Sequence, residues 1–175
     1  MNKRISHTVT QCDVDHIASA ELDWCGSYGN RVCRFVEDLA GGENYQDPRD
    51  PRHNELCDRV SPKWGNVEVK TTHTETVTLG NKVHVIQQTS VVDHLFVYRW
   101  KSHSAAQLNA KPLVPGDVLE LELVSVTPFN QVALRAIGSV KGNKLGCFVF
   151  LSDAAAWDNK ESIEAFNLME FDNAN

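Results

Sequence analysis

The sequence predicts an α+β domain in which an antiparallel sheet wraps around one long central helix, followed by a C-terminal helical tail. Three observations predict it. Tyr28, Val32, Phe35, Val36 and Leu39 fall at i, i+4, i+7, i+8 and i+11, which places all five on one apolar helical stripe. Residues 66–152 read as strand after strand, rich in β-branched and aromatic side chains and broken by Gly-Asn pairs. At 175 residues, 42% hydrophobic and 23% charged, the chain fills one core without a disulfide or metal staple. A lone helix cannot cover its own stripe and a one-faced sheet needs a cover, so each is expected to cover the other.

The elements follow in order. Residues 5–15 are β-branched and polar and read as a first strand. The central helix is expected to begin between Asp23 and Gly29 and to end at Gly41-Gly42, which offers left-handed backbone at the C-cap. Residues 43–63 are polar and carry Pro48, Pro51 and Pro62, so an irregular loop is expected, as a lid, a binding loop or plain surface. Residues 67–79 are a threonine-rich strand, Gly80-Asn81 a tight turn, and residues 82–100 a long strand. In residues 118–126 Leu119, Leu121 and Leu123 alternate with Glu120 and Glu122, one apolar and one polar face. Residues 131–141 and 144–151 are read as a hairpin turning at Gly142-Asn143. Asp153 can N-cap a last helix continued by Ile163, Phe166 and Met169. The organisation expected is therefore a domain over residues 1–152 and an acidic helical tail over 153–175.

Composition narrows the function. A net charge of −6 argues against a nucleic-acid partner, which would call for a basic face. No apolar run approaches the ~18 residues of a membrane span, and the N-terminus has no apolar stretch of the signal-peptide kind. Five cysteines (Cys12, Cys25, Cys33, Cys57 and Cys147) form no Cys-x-x-Cys pair. Reduced thiols in a cytoplasmic protein are expected. Cys12 with His16 and His53 with Cys57 are isolated pairs, whereas zinc wants three or four ligands together, so no metal site is expected.

Two stretches resemble a known superfamily. Residues 111–122, with Pro112, Pro115, Gly116 and Asp117, and the following segment 136–150 resemble the Pro-x-x-x-Gly-Asp turn and hairpin of hotdog-fold acyl-thioester enzymes, both thioesterases and β-hydroxyacyl-carrier-protein dehydratases. At the front, Asp13-Val14-Asp15 followed by residues 28–37 resembles the 4-hydroxybenzoyl-CoA thioesterase-like family, in which an acidic loop precedes an aromatic-x-Asn helix start. The gap from Asp15 to Asn30 is several residues longer than in that family, and Glu21-Leu22-Asp23-Trp24-Cys25-Gly26 offers a second acidic loop with a shorter gap. The Gly-His-Phe-Pro-like segment of the dehydratases is absent.

The resemblance implies hydrolysis of an acyl-CoA or acyl-carrier-protein thioester, with coenzyme A or phosphopantetheine as part of the substrate and no separate cofactor. The alternatives are a hotdog lyase, dehydratase or decarboxylase, on a carrier-bound acyl or polyketide chain, or a non-catalytic acyl-binding hotdog. Hydrolysis needs a carboxylate and donors for an oxyanion, and a helix N-terminus supplies such donors. Asp15, ending a strand, is the preferred catalytic acid, with Asp23 as alternative, His16 as acid–base partner and Glu37 in reserve. Gly26, Tyr28, Gly29 and Asn30 are the expected substrate-binding residues at the helix start. Each has a plainer reading: Asp15, Asp23 and Asn30 as caps, Tyr28 as core, His16 as a surface side chain and Glu37 as a solvated residue opposite the apolar stripe. Asp93 and His94, adjacent in a strand, point to opposite faces and form no dyad. A two-fold homodimer is expected, with residues 82–100 as the interface strand.

Overall fold

The computed structural model describes residues 4–40, 43–44, 56–138 and 147–150. Among them the chain is α+β, built on a six-stranded sheet in the order β1-β7-β6-β4-β3-β2. The strands are β1 (Arg4–Thr8), β2 (Glu43–Asn44), β3 (Arg59–Ser61), β4 (Gly65–Thr72), β6 (His94–Trp100) and β7 (Val118–Pro128), with β5 (Thr76–Gly80) and β8 (Cys147–Phe150) forming a separate ribbon. The helices are α1 (Gln11–Ala18), α2 (Tyr28–Ala40), α3 (Lys82–Gln88), α4 (Ala105–Ala110) and α5 (Phe129–Gly138), with a 3₁₀ turn at Ala20–Cys25.

The sheet is mixed, which corrects the antiparallel expectation: β4 and β6 run parallel, from Val67↔His94 to Thr72↔Arg99. Parallel neighbours need a crossover, and here β5 and α3 supply it. The sheet also packs on both faces. Along β6, Phe96, Tyr98 and Trp100 join one core with Val32, Phe35 and Val36 of α2. Leu95 and Val97 join a second core with Val85 of α3 and Phe129 and Val132 of α5. Burial on both sides is why His94–Trp100 is a near-continuous apolar run rather than an alternating one.

Central helix α2 and strand β7 stand where the sequence predicted them. Leu119, Leu121 and Leu123 are buried, as the alternation required. The Pro112–Asp117 region does turn into β7: Gly116 takes φ 96°, and Asp117 Oδ2 accepts from Val114 N at 2.9 Å. Other elements differ. The first strand stops at Thr8, because Thr10 and Asp13 close a capping box, with Thr10 N donating to Asp13 Oδ2 at 2.7 Å and Asp13 N to Thr10 Oγ1 at 3.2 Å. Residues 82–100 are not one strand. Asn81 Oδ1 caps α3 by accepting from His84 N, a helical turn follows, and only β6 is extended. Because β6 lies between β4 and β7, both of its edges are taken, and it cannot continue a sheet into a second subunit.

Residues 131–138 are helical rather than the first arm of a hairpin, since Phe129, Val132 and Ala133 at i, i+3 and i+4 bury together. The segment read as an irregular loop over residues 43–63 contributes β2 and β3 to the sheet. Residues 45–55, the Gly142-Asn143 turn and the tail over 153–175 lie outside the described residues. Among the described residues no helix is long and apolar enough to cross a membrane.

Candidate functional site

The residues singled out at the helix start are spent on local structure. Asp15 is not at a strand end but on α1, exposed, where Oδ1 accepts from Gln11 Nε2 at 2.8 Å. Asp23, in the 3₁₀ turn, pairs with Arg31 at 2.9 Å with its side chain 64% exposed. Asn30 donates to Cys25 O at 3.2 Å, and His16 Nδ1 lies 3.4 Å from Glu21 Oε2. Tyr28 accepts from Leu113 N at 3.1 Å, and Gly29 N donates to Asn109 Oδ1 at 2.7 Å, pinning α2 to α4 and the chain beyond it. Gly26, at φ 79°, makes the bend between the turn and α2. Asp93 and His94 do not meet: Asp93 accepts from Asn66 N and His94 Nδ1 faces Trp64 O.

Glu37 is the exception, and its environment corrects the solvated reading. It is buried, with Arg34 Nη1 2.5 Å from its Oε2. It belongs to a cluster of charged side chains around one edge of β4. Strand β3 pairs only with Gly65, Asn66 and Val67, so the ladder runs out at Glu68. Asp58, just before β3, takes over there: its N–H donates to Val67 O at 3.0 Å, and its Oδ2 accepts from Val69 N at 2.6 Å. A carboxylate thus finishes the strand edge and is fixed by it.

Glu68 and Lys70, two residues apart, share the face of β4 opposite Val67 and Val69 and form an ion pair. Gln88 reaches this face from α3, fully buried, donating through Nε2 to Leu56 O at 3.1 Å. Arg34 and Glu37 come from α2, and Arg34 Nη2 stands 3.7 Å from Asp58 Oδ1. Arg59 pairs with Asp38 beside them. Glu68 is 3% exposed and Asp58 3%, whereas the Lys70 and Asp38 side chains reach 27% and 36%, so the cluster meets solvent on their side.

Burying this much charge is unfavourable unless every group is paired, and here the pairing is incomplete. Glu68 Oε2 and Gln88 Oε1 have no hydrogen-bond partner among the described residues. Burial, reinforced by Asp58, pushes the Glu68 carboxyl up to about 7 against the pull of Lys70. The same two causes hold Glu37 well above the ordinary carboxylate range. Burial works against the charge on Lys70, but Glu68 and Asp58 outweigh it and keep the ammonium more basic than usual. A carboxyl poised near neutrality beside a cation, as Glu68 is beside Lys70, is a functional signature as much as a structural one.

Sequence reasoning reached Glu37 and missed Asp58, Glu68, Lys70, Gln88 and Arg34. One signal was available: an acid and a lysine two apart inside a valine-flanked strand, Val67-Glu68-Val69-Lys70. On a half-buried strand that alternation is the wet face, but here Gln88 of α3 hydrogen-bonds to Glu68 and the acid is buried. Among the described residues no three His, Cys, Asp or Glu side chains stand together in metal-holding geometry, since Glu37 and Glu68 are turned onto Arg34 and Lys70. No known family model matches the chain, and no curated protein is significantly similar to it.

Proposed function

We propose that the protein is a divalent-cation-dependent phosphodiester hydrolase acting on a nucleic-acid backbone, with Asp58, Glu68 and Lys70 as its centre. The observation that carries this reading is the convergence on one strand edge of a backbone-fixed carboxylate, a second carboxylate with an unspent oxygen, and a lysine. The donors are all oxygens, which suits a hard cation such as magnesium or manganese and not zinc. Magnesium is typically held by only one or two carboxylates, with waters and substrate phosphate oxygens filling the rest, so a cage of three acids is not required. Asp58 and Glu68 fit that role, with Glu37 and Gln88 as outer supports.

A cation held there by Asp58 and Glu68 would supply a more acidic water and charge to polarise the phosphoryl group. The chain's own residues do the remainder. Asp58 cannot swing away, because the β4 backbone holds its second oxygen. Lys70 puts a permanent positive charge where negative charge develops on the phosphoryl group. Glu37 in its carboxylate form, outside the two acids that would hold the cation, can take up the proton that attacking water gives up.

This reading departs from the expectation, drawn from net charge, of no nucleic-acid partner. A chain at −6 has no broad electrostatic grip, so affinity has to arise at the site itself. Thioester hydrolysis draws no comparable support, because Asp15, Asp23 and Asn30 are exposed and engaged in local bonds. The test is calorimetric titration of the protein with manganese. The parent should bind at about one site, and Asp58→Asn and Glu68→Gln should each weaken binding by about tenfold or more. Absence of binding at millimolar manganese, or equal binding by the variants, refutes the assignment.

A further inference from the structure

Helix α3 gains little from its own sequence. Val83, Val85 and Ile86 are β-branched and lose rotamer freedom in a helix. Val85 and Gln88 are buried beneath it, but Val83 and Ile86, one turn apart on its outer side, are 66% and 48% exposed. Of the exposed large hydrophobics among the described residues, these are the two that sit on a helix.

Two observations point to what covers this face. The first is where the chain leaves the described residues. Phe150, the end of β8, pairs with Thr76 at the start of β5, and β5 ends at Gly80, just before α3. Strand β8 packs on α5 and α5 on α3, so the chain beyond Phe150 sets out beside α3. A five-residue strand is about 15 Å long, and the 13 residues from Phe150 to Ile163 can span up to ~40 Å, so reach is no obstacle. The second is composition. Residues 45–55 offer one large apolar side chain, Tyr45, and residues 139–146 offer Val140 and Leu145. The tail over 153–175 instead carries Ile163, Phe166 and Met169 at helical spacing.

We propose that the C-terminal tail of this chain docks through Ile163, Phe166 and Met169 onto Val83 and Ile86 of α3. It then straps the helix whose inner side sends Gln88 to the charged cluster. The docking surface is defined without the hydrolase reading, and its test needs no cleavage.

The first measurement uses the full chain with a benzophenone amino acid in place of Ile86, irradiated and mapped by mass spectrometry. A crosslink within one chain to residues 157–171 is expected. A crosslink to residues 45–55 or 139–146, a crosslink to a second copy in a mixture of labelled and unlabelled chains, or no crosslink overturns the proposal. Thermal unfolding is the second measurement. Glutamine is a better helix former than isoleucine, so on an uncovered surface Ile86→Gln would keep or raise Tm. Docking predicts that Ile86→Gln and Phe166→Gln each lower Tm by at least about 2 °C, with the double variant no lower than the worse single. Additive losses, or an unchanged Tm in either single variant, overturn it as well.

Discussion

Replacing Glu68 by glutamine should inactivate the protein while making it more stable at alkaline pH. Glu68 is 3% exposed and its carboxyl is raised to about 7 from an ordinary 4.5. The folded state therefore holds this proton more tightly than the unfolded chain does. The stabilisation is complete below pH 4.5 and is lost as pH rises towards 7, so that at pH 8 the ionised Glu68 weighs against folding by its full amount. A shift from 4.5 to 7 corresponds to about 3 kcal/mol, an upper figure that already includes the attraction of Lys70. Lys70 is charged in both states across this range and adds no slope. Glutamine cannot ionise, so Glu68→Gln should gain up to about 3 kcal/mol at pH 8 and little at pH 5. For a chain of this length that is a rise of roughly 5–10 °C in Tm. The assay is thermal unfolding of parent and variant in EDTA at both pH values. A variant destabilised equally at pH 5 and pH 8 would refute the account of Glu68 as a buried, unfavourably ionised acid. A change that stabilises and inactivates together is what a functional group held against folding should give.

Two further outcomes follow from the geometry. Gly65 turns the β3–β4 hairpin at φ 68°, and an added Cβ would lie 2.1 Å from Asp93 Oδ2. Gly65→Ala should lose at least about 2 kcal/mol of stability, read by urea denaturation, since left-handed strain and a clash combine. Asp15→Asn and Asp23→Asn, at exposed local contacts, should stay within about 0.5 kcal/mol of the parent and keep its cleavage rate; a hundredfold drop in either would move the site back to the α2 start.

How much was legible follows from what sets each element. Helix α2 was readable because Val32, Phe35 and Val36 lie on one stripe and bury against the sheet, and β7 because Leu119, Leu121 and Leu123 alternate. Helix α3 was not, because Lys82-Val83-His84-Val85-Ile86 is β-branched and apolar. Its helical state comes from the Asn81 cap and from burying Val85 and Gln88 while Val83 and Ile86 stay exposed. The capping box at Thr10 and Asp13 was written in the sequence, but the β-branched run before it masked the stop. At the site, the helical wheel correctly put Glu37 off the apolar stripe. What lies on that side, Arg34 and the edge of β4, depends on the β3–β4 register and on a parallel pairing between strands 27 residues apart, from Val67 to His94. Long-range pairing of that kind leaves no local mark.

The most direct measurement is incubation of the protein with plasmid DNA and with a single-stranded oligonucleotide and an RNA, with magnesium or manganese, with EDTA, and with Asp58→Asn, Glu68→Gln and Lys70→Ala in parallel. The account predicts cleavage of at least one of these substrates by the parent, none in EDTA, and a loss of at least about a hundredfold in each variant. Undiminished cleavage in EDTA or in all three variants, or intact nucleic acid throughout, would contradict it.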